Sequence, residues 1–240
     1  MKPFSSYNGG KAGNGTYQNI INHIPKCNVF IDAMVGNGGI LFNLKLPGLT
    51  VINDIDSGVI EKYDIQHFEN IIIENFDYRS IIAKYDCDRS YNIFFYFDPP
   101  YLKSSRKSQK DLYRYEWNES QHIEFLSLTN TVKSNCMISH YPCELYDNYL
   151  KGWKTFDFQS TTRNGTATER IYMNYEKPTI LQDFRYLGKD YIDRQRIKRK
   201  VQRFIKKLET LPDDERTAIL TAVIDKNNYT AAQIFSSIRS

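Results

Sequence analysis

The segment Phe97-Asp98-Pro99-Pro100-Tyr101 combines residue types that can act on a flat ring carrying an amine. Two consecutive prolines fix φ at two positions and donate no backbone hydrogen bond, so nearby carbonyls stay available as acceptors. A carboxylate, a carbonyl and an aromatic face are thereby presented together. The two oxygens can accept both hydrogens of an exocyclic amine while the tyrosine ring stacks on the base. The alternative is a rigid turn without a chemical role.

A second candidate site is the glycine-containing segment from Asp32 to Gly38, which follows an apolar run typical of a first parallel strand. Glycines at such a strand end let the backbone approach a ligand closely, where parallel sheets bind nucleotides. Asp54 ends the next predicted strand, where a carboxylate can accept both hydroxyls of a ribose. The phosphate-binding pattern G-x-x-x-x-G-K-[ST] is absent, and Asp32 would repel phosphate. The segment therefore predicts a cationic or zwitterionic nucleoside, with a simple tight turn as the alternative.

The elements that hold these sites are predicted from short apolar runs alternating with helix-compatible stretches. This alternation is typical of an α/β protein with a mostly parallel sheet covered by helices. Seven strands are predicted, the last two as a hairpin, at residues 29–33, 50–53, 71–74, 92–97, 136–139, 153–158 and 170–174. Helices are predicted at residues 16–24, 39–44, 58–68, 79–84, 119–132 and 144–150.

Composition excludes several classes of protein. Of the 240 residues, 41% are hydrophobic and 25% are charged, as in ordinary globular proteins, which excludes wholesale disorder. No apolar run approaches the roughly 18–20 residues that span a bilayer, and the polar N-terminus does not resemble a signal peptide. The four cysteines are widely spaced and form no C-x-x-C pair, which predicts reduced thiols in a cytoplasmic protein and no structural zinc.

The net charge of +4 conceals a basic segment near the C-terminus. Residues 185–207 contain ten Lys or Arg against two Asp, a net charge of +8, whereas residues 1–184 and 208–240 each carry −2. Such a segment suits a polyanion partner, because each phosphate contact adds non-specific affinity. A solvated helix face is the alternative.

A change of composition near Pro178 predicts two parts of the chain. Residues 1–178 are predicted to form the α/β domain and residues 179–240 a helical, basic extension. Within the extension, helices are predicted at residues 190–208, 213–225 and 230–239.

Several motifs, in the same order along the chain, resemble the Dam-like, phage-type D12 class of adenine-N6 DNA methyltransferases, which use S-adenosylmethionine. Tyr7 to Lys11 is similar to the N-terminal GGK motif of this family. Asp32 to Gly38 resembles its D-x-F-x-G-x-G cofactor motif, with Met34 where an aromatic is usual. Asn53 to Asp56 resembles its N-D-x-N motif, and Asn75 to Tyr78 resembles the segment that meets the cofactor adenine. Asp98-Pro99-Pro100-Tyr101 matches its catalytic tetrapeptide.

The resemblance continues after the tetrapeptide and covers residues 3–176. Residues 101–116 look like the post-catalytic loop of the family, and residues 137–141 and 168–175 follow in the expected order. The tetrapeptide by itself also occurs in RNA methyltransferases, but the order of the motifs and the GGK favour DNA. His122 and His140 are predicted to be structural, because this chemistry needs no imidazole base.

The resemblance implies a Rossmann-like class I methyltransferase fold with a seven-stranded, mostly parallel sheet and a C-terminal helical appendage. It implies transfer of a methyl group from S-adenosylmethionine to a flipped-out adenine in double-stranded DNA, without a metal. The implied catalytic residues are Asp98, Pro99, Pro100 and Tyr101. The implied cofactor-binding residues are Tyr7, Gly9, Gly10, Lys11, Asp32, Gly36, Gly38, Asp54, Asp77 and Asp98.

Two other classes of function stay open. The first is an RNA adenine-N6 or cytosine-N4 methyltransferase, because cytosine also carries an exocyclic amine that the same clamp can hold. The second is a non-catalytic DNA-binding module on the same scaffold. The intact tetrapeptide and cofactor motif argue against this second class.

One departure from the family concerns DNA recognition. Only 43 residues separate Asp54 from Asp98, too few for the target-recognition insertion that Dam-like enzymes usually carry. Recognition is therefore predicted in the loop 102–116, the loop 159–168, the basic tail or a second subunit. The candidate DNA-contacting residues are Arg106, Lys107, Arg114, Arg163, Arg196, Lys200 and Arg203.

The tail beyond residue 185 lies outside the resemblance. On a single helix, its basic residues recur on one face and its apolar residues on another. The basic face comprises Arg196, Lys200, Arg203 and Lys207, and the apolar stripe comprises Ile197, Val201, Ile205 and Leu208. We predict that the first face contacts DNA phosphates. A further hypothesis is that the C-terminal helices join two protomers.

Overall fold

The computed structural model describes residues 9–63, 70–87, 91–106, 110–162 and 165–226. The chain divides into two compact units, Met1–Phe184 and Arg185–Ser240. The division lies a few residues after the predicted boundary because the chain beyond Pro178 returns to the first unit. Gln182 Nε2 donates a hydrogen bond to Lys45 O at 2.9 Å, and Asp183 Oδ2 accepts one from Lys45 N at 2.9 Å.

The first unit is built on a seven-stranded sheet with the strand order β3-β2-β1-β4-β5-β7-β6. The strands are β1 (Val29–Asp32), β2 (Leu49–Asn53), β3 (Ile71–Glu74), β4 (Ile93–Phe97), β5 (Asn135–His140), β6 (Lys154–Thr162) and β7 (Gly165–Met173). β1 to β5 are parallel, whereas β7 runs antiparallel to both β5 and β6. The predicted fold class, a mostly parallel sheet of the Rossmann-like class I type, is confirmed.

One short helix precedes the strands of the first unit, and four others connect them. They are α1 (Thr16–Ile21), α2 (Ser57–Ile60), α3 (Tyr78–Tyr85), α4 (Glu119–Thr129) and α5 (Glu144–Tyr149). α4 begins where the sequence predicts, because Asn118 and Gln121 form a reciprocal capping box. The predicted helix at residues 39–44 is wrong: these residues form successive turns. So short a segment has too few hydrogen bonds to offset the cost of nucleating a helix.

The core lies on both faces of the sheet. Every residue of β4, Ile93 to Phe97, is buried, as expected for a central parallel strand covered on both sides. On one face the strands pack against the apolar sides of α3, α4 and α5. A smaller cluster that includes Val35, Val59 and Tyr63 covers another part of the sheet.

The hairpin of β6 and β7 is longer than predicted. Its strands pair without interruption from Lys154↔Met173 to Thr162↔Gly165, so the predicted loop 159–168 is mostly strand. The many threonines of this segment favour extended backbone. β5 pairs only with residues 170–173 of β7, so residues 159–162 and 165–168 form a two-stranded arm beyond the carboxyl end of β5.

The second unit contains α6 (Tyr191–Glu209) and α7 (Asp213–Lys226). α6 begins at the predicted place because the Asp190 side chain accepts a hydrogen bond from Asp193 N at 2.7 Å. α7 follows after Pro212, close to its predicted bounds. The third predicted helix, at residues 230–239, lies outside the described residues. Within the described ranges, no helix is long and apolar enough to cross a membrane.

Candidate active site

A cavity of about 270 Å³ opens at the carboxyl ends of β1 to β4. Because parallel strands end at the same edge of a sheet, motifs that are far apart in the sequence come together here. The lining includes the residues that follow the four strands, namely Asp32–Gly36, Asn53–Asp56, Phe76–Tyr78 and Asp98–Pro100. Gly9 to Lys11 and Leu112 to Tyr115 also contribute to the wall.

Most of the predicted cofactor residues line this one cavity. They are Gly9, Gly10, Lys11, Asp32, Gly36, Asp54, Asp77 and Asp98. Gly38 does not line the cavity: it has a φ of +74°, and a Cβ there would lie 2.6 Å from the Phe42 ring. Gly38 therefore serves the turn that shapes the site. Tyr7 lies outside the described residues.

The carboxylate of Asp54 is held by two backbone amides. Gly36 N donates to Oδ2 at 3.0 Å, and Asp56 N donates to Oδ1 at 2.9 Å. Burial raises the pKa of Asp54, and these amide hydrogen bonds act against that rise. Each oxygen keeps a further lone pair, so this carboxylate can still accept the hydroxyls of a ribose on the cavity wall.

Asp77 follows β3 and forms the N-cap of α3. Its Oδ1 accepts hydrogen bonds from Arg79 N at 2.9 Å and from Arg79 Nε at 2.8 Å. Partial burial acts to raise the pKa of Asp77, but the hydrogen bonds and charge of Arg79 outweigh it and lower the pKa. An ionised acceptor is thus present on the wall, and its predicted bond to a cofactor amine would be shared with Arg79.

Asp98 directly follows β4 and lies beside Pro99 and Pro100 on the cavity wall. Lys11 Nζ donates to Asp98 Oδ1 at 2.7 Å and to Oδ2 at 2.8 Å. Burial raises the pKa of Asp98, although Lys11 opposes this rise. For Lys11, burial acts to lower the pKa, but the charges of Asp98 and Glu169 outweigh it and raise the pKa. Lys11 therefore stays charged and supports an ionised Asp98.

Ser139, at the carboxyl end of β5, also forms a hydrogen bond with the Asp98 carboxylate. Its Oγ donates to Asp98 Oδ1 at 2.9 Å, and Tyr96 Oη lies 2.9 Å from the same Oγ. Because the single hydroxyl proton of Ser139 faces Asp98, Tyr96 is the donor in the second contact. Side chains from different strands and segments thus orient the carboxylate of Asp98.

Asp32 is a buried acid on the cavity wall. Burial raises its pKa well above the ordinary value, and the nearby charge of Asp98 adds to this rise. Its Oδ1 has no hydrogen-bond partner among the residues that the structure describes. A buried acceptor without a partner is costly, so a cationic ligand group here would be stabilising. Together with the free lone pairs of Asp54, this fits a zwitterionic nucleoside such as S-adenosylmethionine.

Tyr101 is packed inside the protein instead of lining the cavity. It is 4% exposed, its hydroxyl accepts a hydrogen bond from Lys11 Nζ at 2.6 Å, and its ring lies 4.2 Å from the Tyr141 ring. Stacking of this ring on a target base therefore stays a prediction, and it would need the ring to be uncovered.

The two histidines near the tetrapeptide, His140 and His122, make hydrogen bonds that stabilise the fold. His140 Nε2 accepts a hydrogen bond from Leu102 N at 2.9 Å, and its Nδ1 donates to Tyr141 O at 2.7 Å. His122 Nδ1 lies 2.9 Å from Tyr146 Oη. Burial lowers the pKa of His140 to about 3 and that of His122 to about 4. His140 thereby fixes the chain directly after the tetrapeptide while staying neutral.

The predicted DNA-contacting residues lie in different places. Arg106 is buried, and its guanidinium pairs with Glu116 at 3.0 Å, which holds the post-catalytic loop; its contact with a DNA phosphate stays a prediction. Arg114 is exposed, and its Nη1 donates to Asp56 Oδ1 at 2.9 Å. Arg196, Lys200 and Arg203 lie on α6 of the second unit. Lys107 and Arg163 lie outside the described residues.

Sequence reasoning assigned no individual role to three residues that shape the site. Asn53 Nδ2 donates to Ala33 O and to Phe76 O, each at 2.9 Å, and so ties the ends of three strands together. Ser139 and Glu169 both lie in segments that resemble the family, but the sequence pointed to no role for either. Ser139 ends the strand next to β4, which is the signal that could have found it. In the part of the chain that the structure describes, no cluster of His, Cys, Asp and Glu could hold a metal ion.

The fold is similar to several solved structures, each with a TM-score under 0.5. A precorrin 8W decarboxylase from Methanobacterium thermoautotrophicum shares 10% identity, covering 73% of this chain and 100% of that chain, with a TM-score of 0.43. An rRNA methylase from Streptococcus thermophilus shares 15% identity over 68% and 95%, with a TM-score of 0.44. The N-methyltransferase NodS from Bradyrhizobium japonicum shares 10% over 63% and 88%, with a TM-score of 0.43. Likeness at this level carries no information about substrate.

The sequence itself matches one family. No curated protein sequence matches the chain. Residues 62–164, which include the end of β4 and the tetrapeptide, match the model of the family described as D12 class N6 adenine-specific DNA methyltransferase. The match also confirms the predicted cofactor, S-adenosylmethionine, which the acids of the cavity fit. By its site and by this match over residues 62–164, the chain is similar to the D12 class of N6 adenine-specific DNA methyltransferases.

Proposed function

We propose that this protein transfers a methyl group from S-adenosylmethionine to the exocyclic N6 amine of a flipped-out adenine at specific sites in double-stranded DNA. The observation that carries the proposal is the position of Asp98. Its carboxylate lies at the carboxyl end of β4, beside two prolines, on the wall of the same cavity as Asp54 and Asp32. The carboxylate that would accept the target amine and the carboxylates that would bind the nucleoside therefore line the same cavity.

The role of Asp98 and Pro99 follows from the electronic structure of the target. The lone pair of the adenine amine is delocalised into the ring, which makes the amine a poor nucleophile. Hydrogen bonds from the amine to the Asp98 carboxylate and the Pro99 carbonyl would favour a tetrahedral nitrogen and free the lone pair. When bound, S-adenosylmethionine supplies an activated methyl group on a sulfonium. Formation of the C–N bond would break the bond between the methyl carbon and the sulfonium sulfur and leave a neutral thioether. The nitrogen would lose one proton, which Asp98 is placed to accept.

Binding of the cofactor is assigned to the other strand ends. Asp54 would accept the ribose hydroxyls, and Asp32 would face the positively charged end of the molecule. Gly36, with a φ of +51°, shapes the turn after β1 so that backbone can lie close to the ligand. The protein thus mainly orients the reactants and excludes water from them.

DNA binding is assigned to surfaces outside the cavity. The target base must leave the duplex, which costs a few kcal/mol of unstacking. We place part of the compensating affinity on the basic face of α6, because residues 185–207 carry a net charge of +8. A cytoplasmic location, where such DNA would be accessible, belongs to the same proposal. So does the joining of two protomers through the C-terminal helices.

Incubation of the protein with labelled S-adenosylmethionine tests the proposal directly. The substrates are unmethylated double-stranded DNA, RNA, and oligonucleotides with cytosine as the only amine-bearing base. We expect label in DNA adenine and none with Asp98→Ala. Label in RNA or cytosine would reassign the substrate. Cofactor binding by calorimetry without any transfer would indicate a non-catalytic module.

A further inference from the structure

We infer that Glu169 is a positioning residue that draws Lys11 away from Asp98 when the target amine binds. The inference rests on the proposed function, because it takes Asp98 to be the acceptor of that amine. It concerns a residue of β7 for which the sequence indicated no role.

Lys11 occupies the carboxylate that the target amine needs. Its ammonium lies within hydrogen-bond distance of both oxygens of Asp98, at 2.7 and 2.8 Å, and Ser139 takes a further site on Oδ1. A carboxylate offers about four lone-pair sites, so the three hydrogen bonds from Lys11 and Ser139 leave little room for another. A charged donor also withdraws electron density from the oxygens and weakens them as acceptors for a neutral amine.

The charge of Lys11 would also oppose the reaction itself. Positive charge develops on the amine nitrogen as the new C–N bond forms. An ammonium held against Asp98 lies close to this charge, and both are largely shielded from water, so their repulsion is weakly screened. Movement of Lys11 away from Asp98 would therefore favour both binding of the amine and transfer.

Glu169 provides the place to which Lys11 can move. It is buried at the base of the β6–β7 arm, one residue before the pairing of Arg170 with His140. Its Oε2 lies 3.8 Å from Lys11 Nζ and has no hydrogen-bond partner among the described residues. This distance is too long for a hydrogen bond, and a shift of Nζ by about 1 Å would make one. The long, flexible side chain of lysine permits such a shift.

The two carboxylates thus compete for one buried ammonium. Both charges act to raise the pKa of Lys11, so the ammonium stays charged at either position. In the base-free protein Lys11 is bound to Asp98, and an incoming amine that donates to Asp98 replaces it. Glu169 then receives the ammonium and gains the hydrogen bond that its Oε2 lacks.

The test compares Glu169→Gln and Glu169→Asp with the unchanged protein in one methylation assay. Removing the charge at residue 169 leaves Lys11 with Asp98 as its stronger partner. We expect Glu169→Gln to lower kcat by about ten-fold at saturating DNA and cofactor, with the Kd for S-adenosylmethionine unchanged. Glu169→Asp keeps the charge and should recover part of the rate. A kcat equal to that of the unchanged protein would overturn the inference.

Glu74→Gln is the matched control. Glu74 is also a buried carboxylate paired with a lysine, Lys84 at 2.6 Å, but it lies outside the cavity lining. We expect kcat to be unchanged in this variant. A loss equal to that of Glu169→Gln would show a general effect of removing a buried charge and would also overturn the inference.

A double-mutant cycle with Lys11→Met separates action through Lys11 from a structural effect. If Glu169 acts through Lys11, its substitution should change kcat much less when the ammonium is already absent. Additive effects would overturn the inference, and thermal unfolding of each variant shows that it is folded. If the unchanged protein transfers no methyl group to DNA adenine, the proposed function itself falls, and this inference falls with it.

Discussion

The two halves of the cavity hold their carboxylates in different ways. On the cofactor half, Asp54 is held by the backbone amides of Gly36 and Asp56, and Asp77 caps the helix that follows it. On the catalytic half, Asp98 is held by side chains from remote parts of the chain, Lys11 and Ser139. Backbone amides cannot leave their positions, whereas an ammonium can. The Asp54 carboxylate is therefore fixed by the backbone, whereas the partners of Asp98 are side chains that we infer can be exchanged.

The largest expected effect is that of Asp98→Ala, which breaks the catalytic half alone. Loss of a preorganised acceptor costs about 10²–10³ in rate or more. We expect transfer to DNA adenine to fall by at least this factor, while the Kd for S-adenosylmethionine measured by calorimetry changes no more than a few-fold. Asp98→Asn, which keeps the shape and removes the charge, should behave similarly. Near-normal turnover in either variant would show that the clamp is assigned to the wrong residue.

Asp54→Ala should have the opposite pattern, because it breaks the cofactor half alone. Hydrogen bonds to a charged acceptor contribute about 1.5–3 kcal/mol, so the Kd for S-adenosylmethionine should rise by roughly 10- to 100-fold. DNA affinity should change little. Asp56→Ala is the control, since Asp56 caps α2 and pairs with Arg114, and it should weaken cofactor binding less. An equal loss of cofactor affinity in the two variants would contradict the assignment of the ribose to Asp54.

Acid should destabilise the packing behind the catalytic half. Burial holds the pKa of His122 at about 4, whereas in the unfolded chain it is near 6.5. Between these values the unfolded chain binds the proton, so the free energy of unfolding falls as the pH is lowered. Each pH unit costs up to ~1.4 kcal/mol from this residue. The buried acid Asp32, whose pKa is raised, acts in the opposite direction, so only a comparison with a variant isolates the histidine.

Urea denaturation at about pH 7 and about pH 5, for the unchanged protein and for His122→Gln, makes this comparison. The stability lost on acidification should be smaller in the variant by up to ~2 kcal/mol. An identical loss in both proteins would mean that His122 titrates normally in the folded state.

The smallest expected effect concerns DNA affinity in the second unit. Lys200→Gln combined with Arg203→Gln should flatten the slope of log K against log salt concentration by about 0.9 for each phosphate that the variant no longer neutralises. Cofactor binding and kcat at saturating DNA should not change. Arg216→Gln, on α7 and paired with Asp213, is the control and should leave the slope unchanged. An unchanged slope in the double variant would assign α6 a role other than phosphate binding.

The strands can be predicted from the sequence because their signal is local. The predicted strand at residues 71–74 coincides with β3, and β4 differs from its prediction by a single residue, since a buried parallel strand reads as a continuous apolar run. The start of α4 is also predictable, because its capping box lies within four neighbouring residues. The hairpin of β6 and β7 is predicted too short, since its polar threonines carry no apolar alternation.

The sequence predicts which residues line the candidate site, but it does not predict the contacts that these residues make. Parallel strands bring their carboxyl ends to one edge, so motifs after β1, β2, β3 and β4 have to meet there. Nothing in a linear motif indicates that Arg106 is buried against Glu116. Charge and spacing indicate that a basic loop exists, but burial depends on what packs over it.

By itself, the sequence determined the order of the strands along the chain, the acids that follow them, and the family that the chain resembles. Only the tertiary structure decided that Lys11 lies between Asp98 and Glu169, with Tyr101 packed beneath it. The physical reason is sequence distance. These residues come from the N-terminal segment, the end of β4 and the middle of β7, and their contacts depend on strand order in the sheet and on register, which local patterns do not encode.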